Sequence, residues 1–98
     1  MTVQKDPEGK ESKNLHAITG FDGQRVLEVG CGDGRLTWKY AKSAQKVVGI
    51  DLEAADLRIA SIETPADLRA SVFFTRANSI YLPFPSDSFD LALLAWSF

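Results

Sequence analysis

Cysteine, histidine and methionine occur once each in these 98 residues. A single cysteine, Cys31, excludes an internal disulfide and fits a reducing, cytoplasmic setting. A single histidine, His16, has no acidic or cysteine partner at a recognisable spacing, so no metal-ligand cluster is expected. A basic surplus is missing too. Eleven Lys and Arg stand against 13 Asp and Glu, a formal charge of −2, which argues against a nucleic-acid partner. No apolar run approaches the roughly 18 residues of a membrane span, so no membrane partner is expected. The opening stretch MTVQKDPEGKESKN lacks the apolar centre of a signal peptide. Internal repeats are absent.

What remains is the composition of an ordinary soluble globular chain, 45% apolar and 24% charged, with length for one small domain. Lys, Glu, Pro and Gly dominate residues 1–14, which read as a flexible polar tail. Residues 15–98 then form the folded unit, starting with a short helical lead-in over 15–21.

Arg25–Val29 reads as a short buried strand closed by glycine. Gly34–Ala44 reads as a helix. Leu36, Tyr40 and Ala44 recur on one face with Thr37 and Ala41 beside them, and Arg35, Lys39 and Lys42 face out. Lys46–Ile50 is a second strand, and Glu53–Glu63 a second helix with Leu57, Ala60 and Ile62 turned inward. Thr64-Pro65 breaks it. Ser71–Arg76 is a third strand, Leu82-Pro83-Phe84-Pro85 a rigid loop, and Phe89–Ala95 a fourth strand. Strands alternating with helices of about ten residues predict βαβ units and a parallel α/β sheet.

The stretch VLEVGCGDGR, residues 26–35, stands out from this pattern. Gly30, Gly32 and Gly34 fall at alternate positions directly after the first strand. In a βαβ unit that turn lies at the carboxyl end of the sheet, where ligands bind, next to the N–H groups at the start of a helix. Bare backbone lets another group approach closely. A tight strand-to-helix turn is the plainer alternative. The dinucleotide pattern G-x-G-x-x-G does not fit, because Arg35 or Thr37 stands where its last glycine is required. Asp51 ends the second strand 17 residues after Gly34. A carboxylate there can accept from both hydroxyls of a ribose or cap the following helix.

The run E-V-G-C-G-D-G, Glu28 to Gly34, resembles motif I of the class I S-adenosylmethionine-dependent methyltransferases. RANSIYLPFPSDSFDLALLAW, residues 76–96, resembles the stretch G-D-A-x-x-L-P-F-x-x-x-S-F-D of their type-11 branch, which includes ubiquinone and menaquinone biosynthesis methyltransferases. The resemblance spans about residues 24 to 98. It implies a Rossmann-like three-layer parallel sheet, truncated, with strand order 3-2-1-4. It implies S-adenosyl-L-methionine as cofactor and a small-molecule methyl acceptor. It places Gly30, Gly32 and Gly34 around the methionine and ribose part, Glu28 at the amino group directly or through water, and Asp51 at the ribose. Leu52 lies against the adenine, and Asn78 and Ser79 at its edge; Asn78 stands where the family usually has Asp and is a neutral, weaker acceptor. No catalytic base is implied. Cys31, Trp38 and Trp96 read as packing residues, and Leu82–Pro85 as a brace under the cleft.

The chain ends at Phe98, directly after the fourth strand, whereas the resemblance implies three more strands. A free edge on the fourth strand and an uncovered sheet face are therefore expected, and with them self-association. Completion by a second polypeptide and a truncated, inactive product are the other outcomes. On function, a methyltransferase domain stands beside a non-catalytic cofactor-binding or scaffolding module and, more distantly, an NAD-binding half-domain.

Overall fold

A computed structural model describes residues 2–5 (as backbone), 20–78, 84–85 and 87–95 of the chain. Five strands form one parallel sheet: β1 (Thr2–Lys5), β2 (Arg25–Val29), β3 (Lys46–Asp51), β4 (Val72–Arg76) and β5 (Leu91–Leu94). Their spatial order is β1-β5-β2-β3-β4. The four strands expected from the sequence thus stand in the order 3-2-1-4. Among the described residues, two short helices, α1 (Thr37–Tyr40) and α2 (Ala54–Glu63), and a 3-10 turn over Ala66–Leu68 make the connections.

Strand alternation sorts the apolar residues into two layers. Val26, Val47, Val72, Leu91 and Leu93 point to one side, where Phe21, Tyr40, Ala41 and Leu68 cover them. Leu27, Val29, Val48 and Ile50 point to the other, where they pack with Phe84 and Phe89. Near-continuous apolar strands are what burial on both faces of a parallel sheet requires.

Several expectations are corrected here. The edge of the fourth strand is not free: β1 pairs along it in parallel, from Thr2 opposite Leu91 to Lys5 opposite Leu94. The start of the polar tail therefore enters the sheet. A four-residue edge strand needs only backbone partners, and nothing in its apolar pattern announces it. The second face is not bare either, since Leu27, Val29, Val48, Ile50 and Ala92 are all buried. The edge of the sheet on this side is therefore β1 and not the fourth strand. Ile62 is 68% exposed rather than inward. Leu57, Ala60 and Thr64 are the buried positions, at i, i+3 and i+7, and Ile62 lies about 200° round the helix from Ala60.

The first helix is much shorter than the expected 34–44. Only Thr37–Tyr40 is α-helical. Around it the turns tighten to i→i−3 bonds, from Lys39 N–H to Leu36 O, Ser43 N–H to Tyr40 O and Ala44 N–H to Ala41 O. The sequence TWKYAKS holds β-branched, aromatic and serine residues of modest helix propensity. One turn cannot supply the helix-terminus field that a full helix would bring to the glycine loop.

Arg25 and Asp90 fasten the starts of β2 and β5 together. The Arg25 guanidinium donates to both Asp90 oxygens, at 2.9 and 3.1 Å, and the Arg25 backbone N–H donates to Oδ2 at 2.9 Å. Asp90 N–H returns a bond to Arg25 O at 2.8 Å. The bidentate hydrogen bond from Arg25, together with its backbone N–H, lowers the Asp90 carboxyl from 3.8 to about 2. The two side chains are 40% and 35% exposed, so salt screens the pair. A depressed carboxyl stabilises the fold fully above its ordinary value, and that stabilisation is lost as pH falls towards 2. Asp90→Asn is therefore expected to lower the urea midpoint at pH 7. The midpoints of the two proteins should converge as pH drops from about 4 to about 2.

Candidate functional site

Three loops meet at the carboxyl edge of the sheet, following β2, β3 and β4. The first is the glycine turn. Gly30, Gly32 and Gly34 all have positive φ, at 80°, 56° and 91°. Only glycine adopts that sequence of left-handed residues without repeated strain. The turn is hooked to β3 by Gly30 and Cys31 N–H, which both donate to Ile50 O. It closes on itself through Gly34 N–H to Cys31 O.

Asp51, at the tip of β3, joins two of these loops. Its Oδ2 accepts from Gly32 N–H at 2.8 Å, and its Oδ1 accepts from Glu53 N–H at 2.9 Å, just ahead of α2. Of the two readings made for it, ribose acceptor and helix cap, the bond from Glu53 N–H meets the second, and the bond from Gly32 N–H was not foreseen. The third loop is tied in by Ala77 N–H to Asp51 O at 3.2 Å and by Arg76 Nε to Leu52 O at 3.0 Å.

Between the loops lies a cleft of about 200 Å³. Gly30, Asp51, Leu52 and Asn78 line it together with Val29, Ile50 and Ala77. Leu52 is 58% exposed, an apolar side chain held open beside a carboxylate. The structure therefore brings four of the expected site residues to one cleft. Ser79 lies outside the described residues, as do His16 and Trp96. Phe84, which with Pro85 is the described half of the expected brace, meets Phe89 edge-on and packs, as Ala77 does, against the cluster of Leu27, Val29, Val48, Ile50 and Phe89.

Glu28 lies elsewhere, wholly buried beneath the turn. Its Oε1 accepts from Thr37 Oγ1 at 2.7 Å and from the Tyr40 hydroxyl at 2.5 Å. Burial, and then the Glu28 charge, push the Tyr40 hydroxyl well above its ordinary value, so it remains a donor. The Cys31 thiol is likewise raised by burial and by Glu28 and Asp51. It is buried and protonated, as a packing residue should be. Among the described residues no group of three His, Cys, Asp or Glu could hold a metal ion.

Sequence reasoning missed three features. Gly49 looks like an ordinary strand residue, yet a Cβ there would sit 2.7 Å from the Phe74 ring and 2.9 Å from Cys31 Sγ. Thr37 and Tyr40 were assigned to an apolar helix face, but their hydroxyls serve a carboxylate nine and twelve residues earlier. Arg76 was read as a strand end and holds the Leu52 carbonyl. Two hydroxyl residues at i and i+3 behind a strand acid are the one signal the sequence offered.

The sequence profile of a family described as a methyltransferase domain matches residues 26–98. The demethylmenaquinone methyltransferase of Lactococcus lactis is 28% identical over 90 residues, covering 89% of this chain and 34% of that protein. The ubiquinone biosynthesis O-methyltransferase of Bordetella avium is 41% identical over 69 residues, covering 58% of this chain and 28% of that protein. The crystal structure of an S-adenosylmethionine-dependent methyltransferase from Mesorhizobium loti superposes with a TM-score of 0.69 at 31% identity, over 86% of this chain and 39% of that one. The chain spans about a third of the length of the curated relatives it matches.

The glycines of the turn differ in what they tolerate. A Cβ on Gly34 would lie 2.7 Å from the Trp38 ring, at a φ of +91°. A Cβ on Gly32 would meet nothing within 4 Å, at a φ of +56°. Gly34→Ala should destabilise the fold by about 2–4 kcal/mol, from overpacking plus backbone strain. Gly32→Ala should destabilise it by only about 1–2 kcal/mol. Urea unfolding of the two variants checks the order.

Proposed function

The chain belongs to the methyltransferase domain family, and on that premise we propose that it binds S-adenosylmethionine at the carboxyl edge of its sheet and presents it to a small-molecule methyl acceptor. The observation that carries this is the state of Asp51. A carboxylate offers about four lone-pair sites. Two are taken by the N–H groups of Gly32 and Glu53, one on each oxygen. One site per oxygen remains, which suits two neighbouring ribose hydroxyls.

The rest of the cleft fits the same molecule. Leu52, Val29, Ile50 and Ala77 supply apolar walls for a flat purine, and Asn78 a polar edge beside them. The empty space over Gly32 leaves room for the sugar and sulfonium to approach the backbone. When bound, S-adenosylmethionine supplies an electrophilic methyl group on a sulfonium centre, and the protein's part is to hold and orient it. Glu28 stays in this proposal as a residue that reaches the cofactor only through the loop. The acceptor is proposed to be a small quinol-type molecule, by analogy with relatives named for menaquinone and ubiquinone biosynthesis. A second reading, a cofactor-binding module without turnover, needs only the same cleft.

Calorimetry tests the cofactor reading. S-adenosylmethionine and its demethylated product should bind near the micromolar range, about −8 kcal/mol, and NAD should not. Asp51→Ala should weaken binding roughly ten- to hundredfold, as expected for charged hydrogen bonds of about 1.5–3 kcal/mol. Unchanged affinity in that variant, or a preference for NAD, overturns the proposal. A methyl-transfer assay with a demethylated naphthoquinol then separates an enzyme from a module.

A further inference from the structure

We infer that Thr37 and Tyr40 are positioning residues for the cofactor loop, acting through Glu28 and not by touching the cofactor, an inference that rests on the cofactor reading above. The glycine loop is anchored in front by β2 and behind by α1. A single helical turn such as α1 has too little internal bonding to fix its own place. Glu28 supplies what is missing. It sits one residue before the end of β2, and its Oε1 takes hydroxyl bonds from the first and last residues of α1. All three side chains are buried, so both hydroxyl bonds to Glu28 lie in a medium of low dielectric. The two ends of the loop are thereby fastened to each other.

The coupling then runs into the loop through named contacts. The Tyr40 ring stacks on Phe21 with centroids 4.3 Å apart, which aims its hydroxyl at Glu28. Between the two anchored residues of α1 stands Trp38, whose N–H donates to Gly34 O at 3.2 Å. The Trp38 ring fills the space beside the Gly34 Cα. A shift of α1 therefore moves Gly34 directly. Asp51 holds the loop at Gly32 from one side, and the Glu28 clamp holds it from the other. Packing alone would need only the shape of Thr37 and Tyr40; this arrangement needs their hydroxyls.

The test removes hydroxyls and keeps shape. Thr37→Val, Tyr40→Phe and the double variant of the 98-residue chain are compared with Thr37→Ser, which restores a hydroxyl, and with Leu68→Ala, a change in the same core cluster that leaves both hydroxyls in place. Amide exchange is read at Gly32 and Gly34, with Val47 in the sheet as reference. Affinity for the demethylated cofactor is read at a temperature where near-ultraviolet circular dichroism shows every variant folded. The loop amides should exchange about tenfold faster or more in the double variant, with Val47 little changed. Affinity should fall about three- to tenfold in Thr37→Val and in Tyr40→Phe, and stay within about twofold in Thr37→Ser. Leu68→Ala should lower the melting temperature without either effect. Loop amides exchanging at their original rate in the folded double variant overturn the inference, as does an equal affinity loss in Leu68→Ala. Should the double variant not fold, the two single variants decide by the same readings. Should the unaltered chain bind no demethylated cofactor, the cofactor reading falls, and amide exchange alone decides the positioning role.

Discussion

The hydrogen bond from Gly32 N–H to Asp51 is the contact around which the site is built. It joins the loop after one strand to the tip of its neighbour, in a parallel sheet whose ladder has already brought those ends level, Val29 opposite Ile50. Parallel register alone would leave the loop free to swing. The carboxylate removes that freedom and, through Glu53 N–H, also sets the approach to α2. One side chain thus spaces two walls of the cleft while keeping acceptor capacity on each oxygen.

The constraint works only because the surrounding packing leaves no slack. Gly34 and Gly49 each lack a side chain where Trp38, Phe74 and Cys31 need the volume. Trp38 in turn meets Phe74 edge-on at 5.7 Å. These contacts tie the turn and α1 to β3 and β4, so that the glycine turn is carried on a close-packed support. Beneath it, a wholly buried carboxylate would be costly without partners. Thr37 and Tyr40 both answer one of its oxygens, Oε1, and convert the burial of Glu28 into a fixed distance between β2 and α1.

Much of this was legible because it is local. The strands at 25–29 and 46–51 announce themselves by short runs of Val, Leu and Ile, and the left-handed turn by three alternating glycines. Asp51 was legible as a strand-tip acid. The helical period misled at Ile62, because α2 is short and its buried stripe is narrow. It misled again over 34–44, where the propensity of TWKYAKS is too weak to hold a regular helix. Strand β1 was invisible, since an edge strand of four residues is bonded through backbone groups that every sequence has.

By itself, then, the sequence determined the alternation of strands and helices and the family to which the glycine turn and Asp51 point, and the order 3-2-1-4 only as what that resemblance implies. Those features depend on residues close together in the chain and on backbone preferences that each residue carries with it. Only the tertiary structure decided that Thr37 and Tyr40 answer Glu28, that Gly49 makes way for Phe74, and that residues 2–5 close the edge beside β5. Each of those is a meeting of side chains or strands far apart in sequence. Such contacts are chosen by volume and unsatisfied hydrogen-bonding groups in three dimensions, for which the linear pattern holds no period.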